Sequence, residues 1–205
     1  GFALGIQASV EAPFEELGLL NNISVSLRSD EDSEASPTLD DVALDRMAAL
    51  PHVTLAYPEF RARDVKISYG GQTETNIALG LPREASRFGP LRDLLVAGGP
   101  FGLKSRPEAI LGESLIDALG FDSPDQAIGR VVTLNTSGLA QDDASTFKFQ
   151  RQELPVTVVG VYEFPRMGPR FFGRGIILPV ELIKEIPGVS LSSAVEALRA
   201  GRDAA

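Results

Sequence analysis

The chain has 205 residues, 43% hydrophobic and 23% charged, the proportions of a globular protein with a core to bury. Nineteen basic residues against 28 acidic ones leave a net charge of −9, the wrong sign for holding a phosphate backbone, which argues against nucleic acid as a partner. With no cysteine there is no disulfide scaffold, thiolate zinc site or cysteine nucleophile, and no run approaches the ~18 apolar residues of a membrane span.

The chain opens on "GFALGIQASVEAPFEELGLL", with no signal peptide, and reads as the continuation of a longer polypeptide. Residues 3–17 fit an amphipathic helix with Leu4, Ala8, Ala12 and Leu17 near one face, divided by Pro13 and stopped by Gly18. "NISVSL" then alternates Ile23, Val25 and Leu27 with polar neighbours, the period of a half-buried strand. "RSDEDSEASP" is acidic and ends in proline. It lacks the central glycine of a calcium loop and reads as a solvated connection.

"TLDDVALDRMAALP" predicts a helix capped by Thr38, with Asp40 and Asp41 at its positive end and Leu39, Ala43, Met47 and Leu50 as its apolar stripe. Pro51 ends it. "HVTLAYPEF" and "VKISYGGQTETNIALGL" predict strands, the second folding back at Gly70-Gly71. "PEAILGESLIDALGF" predicts a short strand, then a helix with Leu115, Ile116 and Leu119 apolar and Gly120 at its end. "GRVVTLN" and "LPVTVVGVYEF" are β-rich. Between them, residues 136–153 form a long polar stretch expected to be a loop or an extended hairpin tip. "GIILPVELIKEI" predicts a strand, with Pro179 opening a helix, and "SLSSAVEALRAGRDAA" is helical in pattern.

The stretch "GGPFGLKS", residues 98–105, raises the question of a phosphate loop ending in Lys104 and Ser105. The Walker spacing requires Gly-Lys-Ser/Thr, and here Leu103 separates Gly102 from Lys104. Pro100 removes one amide donor, and "PLRDLLVAG" before it is not a convincing buried strand. A glycine turn before a strand is the simpler reading, and no cofactor is expected. His52, the single histidine, is placed in a surface turn, with no carboxylates at helical spacing to complete a metal site. Ser114 in "LGESLI" lacks the second glycine of a nucleophile elbow. Asp40-Asp41 and Asp142-Asp143 read as a helix start and a loop, not as an acid/base pair. The residues therefore give no catalytic constellation. One segment stands out: "PRMGPRFFGRG", residues 165–175, gathers Arg166, Arg170 and Arg174 around Phe171 and Phe172 in an acidic chain. Arginine and aromatics are enriched at interface hot spots, which makes these five residues a candidate partner contact. The alternative is that the two rings plug the core while the arginines are solvated.

The succession "LGLLNNISVSL", "LDRMAALPHVTLAYPEF", "PEAILGESLIDALGF", "AIGRVVTLN", "LPVTVVGVYEF" and "GIILPVELI" resembles the extracytoplasmic core domain of MacB-like and FtsX-like ABC transporter permeases over nearly the whole chain. The resemblance implies an α+β fold: a porter-like α/β subdomain with an inserted β-rich, Sabre-like subdomain. It places a stalk helix continuing from a membrane helix at 1–18, the porter-like part at 19–82 and 176–205, and the insertion at 83–175. It implies a non-catalytic domain on the periplasmic side of the cell membrane, working with its own transmembrane helices and a cytoplasmic ATPase subunit. A permease homodimer or heterodimer and a periplasmic adaptor are further implied partners, with mechanotransmission as the role. Lipid or lipoprotein handling, as in the related lipoprotein-releasing permeases, is the alternative. The sequence departs from the family in the length of 136–153, and in stopping at Ala205 where another strand of the porter part would follow.

Overall fold

A computed structural model describes residues 23, 25, 40–88, 90–142, 146–163, 175–187 and 189. The expected stalk at 1–18, most of the "NISVSL" strand and the last helix lie outside these residues. The chain divides into two units, Gly1–Pro58 and Glu59–Ala205.

In the first unit, α1 (Asp41–Ala48) starts where expected, but its cap is Asp40. The Asp40 carboxylate accepts from the Ala43 N–H at 2.9 Å, so the acid does both the capping and the charge matching at the positive end. Thr38, the expected cap, lies outside the described residues. Residues 53–59 are not a strand, contrary to the reading of "HVTLAYPEF". Val53, Leu55 and Tyr57 are exposed, and Pro58 has no N–H to offer a ladder.

The second unit is built on β1 (Phe60–Tyr69), β2 (Gln72–Leu81), β3 (Leu95–Gly98), β4 (Glu108–Gly112), β5 (Val131–Asp142), β6 (Thr146–Tyr162) and β7 (Gly175–Pro179). Short helices α2 (Pro90–Leu94), α3 (Ser114–Ala118), α4 (Pro124–Ala127) and α5 (Val180–Ile183) lie between or after the strands. β1 and β2 form a hairpin through Gly70 and Gly71, whose φ values of 57° and 89° suit glycine and the twist of a tight hairpin turn. The strand order is β3-β6-β4-β7-β2-β1-β5, and β5 pairs back onto β6. Six strands therefore close into a ring, and β3 pairs with the end of β6 beyond its pairing with β5. β2–β7 and β4–β6 are parallel; the other pairs are antiparallel.

This closure corrects the expected division. β1 and β2, assigned to the porter-like part, pair with β5 of the expected insertion and with β7. β7 in turn pairs with β4. The strands on both sides of the expected boundaries at 83 and 175 share one sheet, so 83–175 is not a separate lobe. The physical reason is burial. Val65, Ile67 and Ala78 are fully enclosed in the same core as Val132, Leu134, Val156 and Val158, and a lone hairpin could not enclose them.

β4 and β7 are buried at all five positions. Ala109, Leu111, Ile176 and Leu178 face the main core, while Ile110 and Ile177 face a second cluster with Phe101 and Tyr162. Leu81, Leu91, Leu94, Leu95 and Val159 pack on that second cluster, so the middle of the sheet is covered on both faces. Leu115, Ile116 and Leu119 on and beside α3 join the main core as predicted, and Phe121 stacks on Tyr69 with centroids 4.3 Å apart. Pro179 opens α5 as predicted. Of the two forms expected for 136–153, the described residues 136–142 and 146–153 show paired strands: β5 and β6 stay paired from Val131↔Thr157 to Asp142↔Thr146.

Candidate functional site

β3 ends at Gly98, which has φ 69°. A Cβ there would stand 2.2 Å from the Val159 carbonyl oxygen, so only glycine allows the chain to leave the sheet at this point. The "GGPFGLKS" segment that follows joins β3 to β4, as the turn reading requires. Three of its amides are engaged inside the protein. The Gly99 N–H donates to the Val159 carbonyl (2.9 Å), the Phe101 N–H to Ser86 Oγ (3.1 Å) and the Gly102 N–H to Glu108 Oε2 (2.9 Å). Lys104 is exposed. The anion held by this loop is the chain's own Glu108.

The cation is Arg83, buried like Glu108. Its Nη1 donates to Glu108 Oε2 at 2.7 Å and to the Gly102 carbonyl at 2.9 Å. Its Nη2 donates to the Arg106 carbonyl at 2.6 Å, and its Nε to Glu181 at the start of α5. The guanidinium also lies 5.9 Å from the Phe101 ring centroid. One side chain thus ties the turn after β2 to the 99–107 loop, to the start of β4 and to α5. Ser86 and Arg87 add two ties, Ser86 Oγ to the Arg83 carbonyl (2.6 Å) and Arg87 Nη2 to the Phe101 carbonyl (3.1 Å). Arg87 Nε is the one buried side-chain polar atom without a partner among the described residues.

Sequence reading missed this network. The signal was Glu108, a charge opening the apolar run "AILG". A carboxylate carried into a core by its strand needs a counter-charge, but nothing in sequence spacing named Arg83, 25 residues upstream.

The five candidate contact residues, Arg166, Arg170, Phe171, Phe172 and Arg174, lie outside the described residues. Their segment joins β6 to β7. The Tyr162 hydroxyl donates to the Gly175 carbonyl at 3.4 Å, and a Cβ on Gly112 would be 3.1 Å from that same carbonyl oxygen. The two ends of the segment therefore meet at one place beside β4. Burial pushes the Tyr162 phenol up to about 12.

His52 is exposed, with φ 69°, in the turn after α1. Ser114 is exposed at the start of α3. Among the described residues no three His, Asp or Glu side chains gather as a metal would require. No described helix is long and apolar enough to cross a membrane.

The MacB-like periplasmic core domain family matches this chain over residues 1–203. No curated protein matches. Among solved structures, the periplasmic region of MacB from Actinobacillus actinomycetemcomitans is similar, at 14% identity and a TM-score of 0.46 over 75% of this chain. The match spans 61% of that chain's length.

The class so defined is a mixed α/β, sheet-rich domain of the extracytoplasmic side. The chain belongs to the MacB-like periplasmic core domains of ABC transporter permeases, which are generally non-catalytic.

Proposed function

We propose that this domain passes motion between a cytoplasmic ATPase, carried on another domain or chain, and partners outside the membrane. On this reading residues 1–18 are the stalk that brings the motion in from a transmembrane helix. The permease works as a dimer, with a periplasmic adaptor or cargo at its outer surface. The family match over 1–203 is the observation that carries the reading.

The contact we assign is Arg166, Arg170, Phe171, Phe172 and Arg174, between β6 and β7. In extended backbone the two rings alternate sides, so one can anchor inward while the other faces out. Alanine at an outward ring costs under ~0.5 kcal/mol, and at a core ring ~3–5 kcal/mol. Thermal melts of Phe171→Ala and Phe172→Ala, paired with transport by the intact permease, test the assignment. One variant is expected to keep its stability and lose transport. Collapse of the fold by both makes the segment core, and silence of both in both assays makes it a plain loop.

A further inference from the structure

The turn 83–88 and the loop 99–107 are pinned to each other by Arg83, Ser86 and Arg87. On this fixed pair of segments stand two of the most exposed large apolar side chains of the second unit, Leu103 at 69% and Phe88 at 61%. Beside them in sequence are the exposed cations Lys104 and Arg106, against one exposed acid, Glu84; Arg87 is half-buried with Nη2 on the Phe101 carbonyl, and the partly exposed Glu181 is held by Arg83. A chain of net −9 here presents a locally basic, apolar projection.

We propose that this projection is a docking point for an anionic lipid surface, with Leu103 and Phe88 entering the acyl boundary and Lys104 and Arg106 meeting headgroup phosphates. Three observations select this occupant. Both apolar groups are exposed, and a bilayer accepts such side chains without a shaped socket. The flanking charges are positive in an acidic protein, the complement of an anionic leaflet. A second copy docking through the same face would set Lys104 and Arg106 against their own equivalents. The internal ties of Arg83 hold both segments in place before contact, so little ordering accompanies binding. The proposal is independent of the contact assigned to 166–174.

The chain contains no tryptophan, so Leu103→Trp installs a single reporter. With vesicles of equal phosphatidylglycerol and phosphatidylcholine at low salt, its emission shifts to the blue and is quenched by lipid brominated near the headgroup. Pure phosphatidylcholine vesicles give at least roughly tenfold weaker binding, and about 0.5 M salt removes most of the signal. In co-sedimentation, Lys104→Glu/Arg106→Glu and Leu103→Asp each reduce partition into the anionic vesicles at least roughly tenfold. Unchanged melting curves show that these exposed changes leave the fold intact. Val131→Trp, at an exposed strand position outside the projection, shows no shift. The proposal is overturned by no partition into anionic vesicles, which leaves the face to a protein partner with an acidic rim. Equal partition of all variants, or an equal blue shift in the Val131→Trp protein, overturns it as well.

Discussion

Replacing Glu108 with alanine removes a buried acceptor shared by two donors, Arg83 Nη1 at 2.7 Å and the Gly102 N–H at 2.9 Å. Breaking a buried ion pair by deleting one partner costs about 3–5 kcal/mol, because the remaining charge is left without its match. Arg83 keeps a second carboxylate, Glu181, which although 42% exposed still offsets part of the loss. The loss should therefore fall near the lower end, about 3 kcal/mol, or a drop of roughly 10 °C in Tm for a unit of this size. Glu108→Gln retains one neutral acceptor and should lose about half as much. Glu181→Gln should lose under ~1 kcal/mol. Urea and thermal unfolding of the three variants, with double-mutant cycles through Arg83→Met, measure both couplings. The order Glu108→Ala, Glu108→Gln, Glu181→Gln is the expected result. A cost under ~1 kcal/mol for Glu108→Ala, or equal costs for Glu108→Ala and Glu181→Gln, would refute the claim that Glu108 is the principal partner of Arg83.

Tyr162 gives a pH dependence. Its folded pKa of about 12 lies above the ordinary 10.0, so its contribution is complete below pH 10 and is lost as pH rises through 12, by roughly 2–3 kcal/mol. Stability of Tyr162→Phe should fall less steeply over that range, and parallel curves for the two proteins would contradict the assigned burial. Gly98→Ala should cost at least ~2–3 kcal/mol, since it adds a clash with the Val159 carbonyl to backbone strain. Gly120→Ala, with φ +82° but nothing nearer than 3.8 Å, should cost about 1 kcal/mol in the same denaturation assay. Calorimetric titration with ATP and magnesium should give no heat above dilution, and micromolar binding lost in Lys104→Ala would show that the 98–105 loop holds nucleotide.

The local elements were legible wherever burial writes a period into the sequence. Val65 and Ile67 alternate with polar neighbours in β1, and the glycine pair marks the turn to β2. "EAILG" and "GIILP" read as short apolar runs because β4 and β7 are covered on both faces. Residues 136–153 gave no such period. The described side chains at 148–151 are all exposed, Phe149 included at 64%, and a ribbon wet on both faces has no apolar alternation to show. Closure was illegible for a different reason. Which edge of β1 meets β5 is decided by hydrogen bonds between strands far apart in the chain, and apolar periods report faces, not neighbours. The partition at 83 and 175 therefore followed the order of motifs in the chain, while the sheet followed its pairing.

The glycine loop shows what a motif alone leaves open. Gly98, Gly99 and Gly102 invited comparison with a phosphate cradle, and the physical logic of such a cradle is present: a backbone N–H and a cation converge on one anion. The anion, though, is Glu108, six residues after Gly102, and the cation is Arg83, from before the loop. Lys104, the residue that suggested nucleotide, points the comparison the wrong way, since it is exposed while Arg83 is buried. An external phosphate would have to displace a carboxylate held by its own strand at high effective concentration. It would also leave that carboxylate buried without a partner. The same residues that resemble a binding loop thus close the site against the ligand it resembles, and they leave Leu103 and Lys104 outside, fixed in position.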